Sequence, residues 1–479
     1  MRVTIFMATL FVVLLDANHA SPQSAPASAD RPWHAMAERQ IESDARQLRD
    51  SSLRLESAKA YSLAELVDLA EAHNPETRVA WERARAQAAA LGIARSELYP
   101  TLAAAAVSQT GRREILFGNH FGYQTVQNFQ TALALSYTIF DFGARSGRID
   151  AARAEVLAEN FAFNDAHRNV IYGVQQAYYR LLSSMGEEDA ARANLANAQT
   201  VQQSAEERLA NGLATLPDVL EAKSATAQAQ YDLQAVLGDE EIARGDLATA
   251  VGISAETKIP IQPLDEISIP ESVDNTVDQA INRALENRPD LLQQVAEIRV
   301  ANAGIKEAHA AYYPALSMAV APAAQSLYGV ESPFAWAHTR GLAGSIGFSL
   351  QWTIFDGGAR RKRLEEARET AQQAEAQAKV LGDQIADEVW VAYSNLNTAF
   401  RQRQAALALL EASRQSYSAA LESYRDGVRS LLDVTAAQRT LAQARSADVF
   451  ARTQVLAALS ELAFRTADSI QANYPRPRP

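Results

Sequence analysis

The sequence predicts an α+β membrane protein built as an internal tandem repeat, in which long coiled-coil helices carry four β-strands per chain. Three observations predict it. The run Thr138-Ile139-Phe140-Asp141-Phe142-Gly143-Ala144-Arg145 recurs as Thr353-Ile354-Phe355-Asp356-Gly357-Gly358-Ala359-Arg360, differing only where Phe142 gives way to Gly357. Before each copy, apolar and polar residues alternate with the period of a strand. After each copy comes a long proline-free run with the three-and-four spacing of an amphipathic helix.

The repeat extends well beyond that motif, and internal repetition outranks other signals because missing it miscalls the whole fold. Downstream the copies stay 215 residues apart: Val170, Val174, Tyr178 and Leu181 match Ile385, Val389, Tyr393 and Leu396, and Gly212 matches Gly427. Upstream the offset is 214, with Asn74-Pro75 matching Arg288-Pro289 and Tyr99-Pro100-Thr101-Leu102 matching Tyr313-Pro314-Ala315-Leu316. The two units are 62–252 and 276–467, and the one-residue change falls between Pro100 and Thr138.

Taken in order, residues 1–20 open with Met1-Arg2, an apolar run and small residues to Ala20, the pattern of a secretory signal peptide. A membrane anchor would need ~20 apolar residues. Residues 21–61 are a Ser/Pro/Ala-rich and then charged leader, expected to be mobile. Ser62 with Glu65 forms a capping box, and the helix it starts should stop at Asn74-Pro75, since the residue before proline leaves the helical region. A second helix reaches about Leu98.

Strands are expected at about 101–113 and 128–142, joined by an aromatic loop 114–127, and again at about 315–327 and 341–356 around a loop 325–340. In the cleanest of them Ile346, Phe348, Leu350, Trp352 and Ile354 alternate with Ser345, Gly347, Ser349, Gln351 and Thr353. Such alternation suits a transmembrane strand lining a wet lumen. A half-buried strand of a soluble sheet has the same period.

Long helices fill 143–251 and 357–467, turning at Asn211-Gly212 and Asp426-Gly427, with Pro217 suited to a first helical turn. The first arm, about 143 to 210, would be ~100 Å long. Its stripe of Val170, Val174, Ala177 and Leu181 returns as Ile385, Val389, Ala392 and Leu396, so such helices should pack side by side. Residues 253–275, with three prolines, link the units, and 468–479 form a Pro/Arg tail expected to be disordered.

Composition narrows the function classes. With no cysteine there is no disulfide framework, thiolate metal site or cysteine nucleophile, and no lipidated N-terminal cysteine. A net charge of −12 argues against nucleic acid as partner. No Gly-rich phosphate loop, HExxH motif or nucleophile elbow occurs, so neither an enzyme nor a cofactor is indicated.

Four strands cannot close a membrane barrel, whose smallest form has eight, and open edges are not tolerated in lipid. Several chains must therefore share one barrel, with the helices forming a tube beneath it: a conduit. The rival is a periplasmic coiled-coil scaffold or adaptor protein without a barrel.

The chain resembles the TolC-like outer-membrane efflux proteins over about 62 to 467. The resemblance rests on the duplication, the Tyr-Pro-x-Leu runs, the Phe-Asp-x-Gly strand exits and the two Gly-containing helical turns. It implies a homotrimer with a shared 12-stranded barrel in the outer membrane and a helical tunnel in the periplasm. A periplasmic adaptor (membrane fusion protein) and, through it, an inner-membrane pump are the implied partners, in efflux or type I secretion.

It also implies a gate. In Tyr424-Arg425-Asp426-Gly427-Val428-Arg429-Ser430-Leu431-Leu432-Asp433, the residues Tyr424 and Arg429 resemble the family's latch pair, and Asp433 an acid facing the tunnel axis. Ala436 stands where a second axial acid belongs. Asp218 takes the place of the tyrosine's carboxylate partner, beside Pro217 in place of a hydroxyl residue. Symmetry-related aspartates at a constriction would attract cations. Alternatively, Asp218 and Asp433 cap the restarting helices. Gly212-Leu213 and Gly427-Val428 sit at the tips, where an adaptor would dock; a plain helix-ending glycine is the other reading.

Overall fold

In the computed structural model, the described residues are 38–47, 59–270, 276–331 and 337–468. The expected signal peptide lies outside them. Helix α1 (Glu38–Gln47) belongs to a unit of its own, within the segment expected to be a mobile leader. The chain from Ser57 onward is a second unit.

That second unit repeats one plan twice. The first copy runs α2 (Leu63–His73), α3 (Pro75–Ser96), β1 (Thr101–Phe117), β2 (His120–Phe140), α4 (Ala144–Ala210) and α5 (Leu216–Val251). The second runs α6 (Val277–Asn287), α7 (Pro289–Ala310), β3 (Ala315–Glu331), β4 (Ala337–Gln351), α8 (Ala359–Arg425) and α9 (Leu431–Arg465). Ser62 caps α2 in the expected box, and Asn74 caps α3 by accepting from the Glu76 amide. Linker residues place Ile261 beside Tyr61, with the Tyr61 amide donating to the Pro260 carbonyl at 2.8 Å.

α4 and α8, 67 residues each, fold back on α5 and α9, and α9 also packs along α4. Of the first stripe, Val170, Val174 and Leu181 are buried, with Tyr178 rather than Ala177 completing it; all four residues of the second stripe are buried. Ile385, Val389, Ala392 and Leu396 meet Ala280 and Ala284 of α6 and Val455, Ala458 and Leu462 of α9. Each large apolar side chain buried this way contributes ~1.5–3 kcal/mol, which a lone helix cannot obtain.

The strands form one antiparallel sheet in the order β1-β2-β3-β4. Pairing of β2 with β3 joins the two repeats. The strands differ from expectation at both ends. The segment 114–127 is paired, not looped: β1 and β2 stay in register out to Phe117 and His120, around Gly118-Asn119. Most of 325–340 is strand as well, with β3 reaching Glu331 and β4 starting at Ala337. An antiparallel ladder satisfies backbone groups pair by pair, so it propagates through residues whose composition alone suggests a loop. At the other end β2 stops at Phe140 and β4 at Gln351, short of the expected 142 and 356.

The repeated motif explains that stop. Asp141 accepts from the amides of Gly143 and Arg145 and from Arg145 Nε at 3.0 Å, while Arg145 donates to the Ile139 carbonyl. Asp356 and Arg360 repeat the arrangement, down to the bond to the Ile354 carbonyl. In each copy one carboxylate caps the new helix; in the first its arginine also holds Ile139 at the end of β2, and in the second it holds Ile354, just past the end of β4. Burial pushes the Asp141 carboxyl up, but the Arg145 and Gly143 amides and the guanidinium outweigh it and hold it below the usual range. In the tail, Asp468 accepts from Thr466 Oγ1 at 2.8 Å; residues 469–479 lie outside the described residues.

Candidate functional site: the sheet face and the helical tips

Register assigns every strand residue to a face, because directly opposed residues share one. One face collects Leu102, Leu133, Leu135, Tyr137, Leu316, Met318, Val320, Leu342, Ile346, Phe348 and Leu350. The other collects Gln130, Ser136, Thr138, Ser317, Gln325, Ser345, Gly347, Ser349 and Gln351. A bulge between Thr138 and Phe140 sets Phe140 opposite Leu316, so the alternation does not continue to Ile139.

The apolar face is most exposed on β4, with Leu342 at 91% and Ile346 at 73%, and half-buried where Leu135, Tyr137, Leu316, Met318 and Val320 crowd on β2 and β3. On β4 it spans residues 342–350, about 30 Å of strand at ~3.3 Å per residue. That is the reach of a tilted strand across the hydrocarbon layer. Exposed aromatics gather at its lower edge: Tyr99, Phe140, Phe142, Tyr313 and Trp352, whose Nε1 donates to the Tyr312 carbonyl at 3.1 Å. Among the described residues, no helix is long and apolar enough to cross a membrane.

The helical turns lie at the far end of α4 and α8. Gly212 (φ 71°) and Gly427 (φ 78°) each end a helix in the left-handed region. The Leu213 amide bonds back to the Arg208 carbonyl and the Val428 amide to the Ser423 carbonyl, both at 2.8 Å, closing two matching helix-ending loops. Leu213 and Val428 project outward, Val428 at 80% exposure, beside exposed Leu216 and Leu432.

Both aspartates act as caps within the chain. Asp218 accepts from the Thr215 amide at 2.8 Å and its hydroxyl at 2.7 Å; Asp433 accepts from the Ser430 hydroxyl at 2.9 Å and its amide at 3.2 Å. These bonds hold both carboxyls below their ordinary range. Tyr424 is buried among Val201, Ala205, Val219 and Leu431, and its hydroxyl has no hydrogen-bond partner among the described residues. Burial lifts its phenol above the usual range, with the Arg208 guanidinium opposing and the Asp218 carboxylate reinforcing that shift. Tyr424 and Asp218 are thus neighbours without a bond between them. Arg429 is exposed, and its charge helps lower Asp433.

A residue absent from the sequence reading joins the two tips. Arg208 Nη1 donates to the carbonyls of Tyr424 (2.8 Å) and Arg425 (2.9 Å), and its guanidinium lies 4.8 Å from the centre of the Tyr424 ring. It offers positive charge to the carbonyl end of α8, where cations are favoured. Its only sequence signal is a basic residue in the last turn of α4, and the repeat hides it, because Ser423 occupies the matching position.

The profile described as outer membrane efflux protein matches residues 66–253 and 280–467, one match in each repeat. The chain belongs to the outer membrane efflux protein family. It is 28% identical over 414 residues to Protein CyaE of Bordetella pertussis, covering 85% of each chain. It is also 28% identical over 388 residues to outer membrane protein OprJ of Pseudomonas aeruginosa, covering 79% of this chain and 78% of that one. A solved membrane protein from Pseudomonas aeruginosa superposes with a TM-score of 0.74 at 26% identity, over 88% of this chain and 99% of that one. The outer membrane efflux proteins are channel proteins, not enzymes, so the sheet face and the tips are the parts to read functionally.

Proposed function

We propose that three copies of this chain form the outer-membrane exit duct of a tripartite efflux or type I secretion system. The observation that carries it is the four-stranded sheet: an exposed apolar face of membrane height, and outer edges of β1 and β4 that no strand covers among the described residues. Unpaired edges are not viable in lipid. Pairing β4 of one copy with β1 of the next removes them and yields a 12-stranded barrel with the polar face lining the lumen. The helices then continue as a periplasmic tunnel. The chain would be exported by its signal peptide and, lacking cysteine, not lipidated there.

At the tips, Leu213 and Val428, turned outward by Gly212 and Gly427, offer apolar contacts to a periplasmic adaptor that links the duct to an inner-membrane pump. Tyr424, Arg429, Asp218 and Asp433 surround the aperture. Exposed Arg429 reaches a neighbouring copy, and the aspartates face the passing solute while capping their own helices. Cargo selection rests with the pump, since a wide lumen touches its cargo weakly.

Planar-bilayer conductance tests this. The wild type should give a small, cation-preferring conductance that rises sharply in Tyr424→Phe/Arg429→Ser. Equal conductance in both would remove the latch and leave the channel. Failure of both proteins to insert would favour the periplasmic scaffold.

A further inference from the structure

Both hairpins run past the apolar band, and their outer parts carry charge on the band's own face. Beyond Leu342 that face shows Arg340 opposite Ser326, then His338 opposite Tyr328. On the first hairpin it shows Arg112 opposite Thr125, then Glu114 opposite Tyr123. Side-chain contacts agree with the register. The Arg112 guanidinium lies 4.6 Å from the Tyr123 ring centre, the Tyr328 and His338 rings stack at 4.2 Å, and Arg340 Nη2 donates to the Tyr328 hydroxyl at 3.5 Å. Arg112, His338 and Arg340 are exposed, and neither arginine has an ion-pair partner among the described residues. By contrast Arg113, one residue away on the lumenal face, donates to Gln124 at 3.2 Å.

We infer that this outward rim holds the phosphate-bearing headgroups of the lipid surrounding the outer end of the barrel. The inference rests on the channel reading, which sets the apolar band in hydrocarbon. On β4 the next residue outward on the same face, Arg340, then lies at headgroup depth, where rings with a polar edge collect, and on β1 Arg112 follows beyond Ser108 and Thr110. Guanidinium forks match phosphate oxygens in pairs. Tyr123 and Tyr328 hold the two forks in place before any lipid arrives. The one acid on this face among the described residues, Glu114, sits a further pair of residues outward than Arg112.

The test uses the full-length protein in phosphatidylcholine nanodiscs doped with bis-phosphorylated lipid A or with the same lipid A stripped of phosphate. Lipid retained after detergent extraction is counted by native mass spectrometry. The wild type should keep the phosphorylated form preferentially. Retention should weaken about fivefold for each arginine removed in Arg112→Gln and Arg112→Gln/Arg340→Gln, from ~1 kcal/mol per basic residue near an anionic surface. Arg113→Gln should behave as wild type. Equal retention of the two lipid A forms, or a double variant matching wild type, overturns the inference. So does a double variant that falls apart into single chains with lipid retention per chain unchanged, which would assign the arginines to the seam between copies. Insertion is read separately by protease protection of the strands, and its failure would sink the channel reading itself.

Discussion

Arg208 shows how much one side chain decides at the tips. Its guanidinium answers two carbonyls at the end of α8 and covers the Tyr424 ring, tying together hairpins that are separated by more than 200 residues of chain. Arg208→Ala should leave those carbonyls without their charged donor and weaken the tip by about 1–3 kcal/mol. The effect should appear as faster amide exchange over residues 423–431, while exchange in the middle of α8 stays as it was. Unchanged exchange at the tip would mean that the Tyr424 cluster alone holds it. The aspartates give the complementary lesson. Their bonds to Thr215 and Ser430 are local, so each folds its own helix start whatever it does for a passing ion.

Among the elements, α4 carries the widest set of contacts, meeting α5, α9, α7 and α3 along its length. Close approach demands small residues at the crossings. A Cβ on Gly147 would lie 2.9 Å from the Glu307 amide nitrogen of α7, so Gly147→Ala must push the two helices apart. Overpacking of this kind costs about 1–3 kcal/mol. Gly173, in the same helix, has nothing within 4 Å of its would-be Cβ. There alanine should raise helix stability by ~1 kcal/mol. The two substitutions should therefore shift the thermal unfolding temperature in opposite directions. A matched fall in both would place Gly173 in a contact between copies.

For the whole molecule, the decisive property is that the sheet has two unlike faces and two edges left bare among the described residues. Ile346 lies midway along the apolar band of β4, and Ser345 is next to it on the polar face. Ile346→Arg should cost ~2–4 kcal/mol and block stable assembly in the membrane. Ser345→Arg, pointing into a wet lumen, should still assemble and shift ion preference away from cations. Heat-modifiable migration of the proposed trimer on gels separates the two; equal loss in both variants would count against a lipid-facing and a lumenal side.

Much of this was legible in the residues alone. The duplication, the alternation around Ile346 and the stripe Ile385, Val389, Ala392, Leu396 are periodic, and period is a property of sequence that local geometry must obey. Gly212 and Gly427 were readable for the same reason, since a helix ending in the left-handed region favours glycine. Tertiary structure decided the rest. The strand limits depended on cross-strand partners, which carried β1 and β2 out to Gly118-Asn119 through residues that looked like a loop. The Asp141–Arg145 and Asp356–Arg360 clasps became visible as bonds only once strand end and helix start met. Arg208 found Tyr424 across 216 positions, a contact that no local pattern encodes, because it exists only after the two hairpins lie side by side.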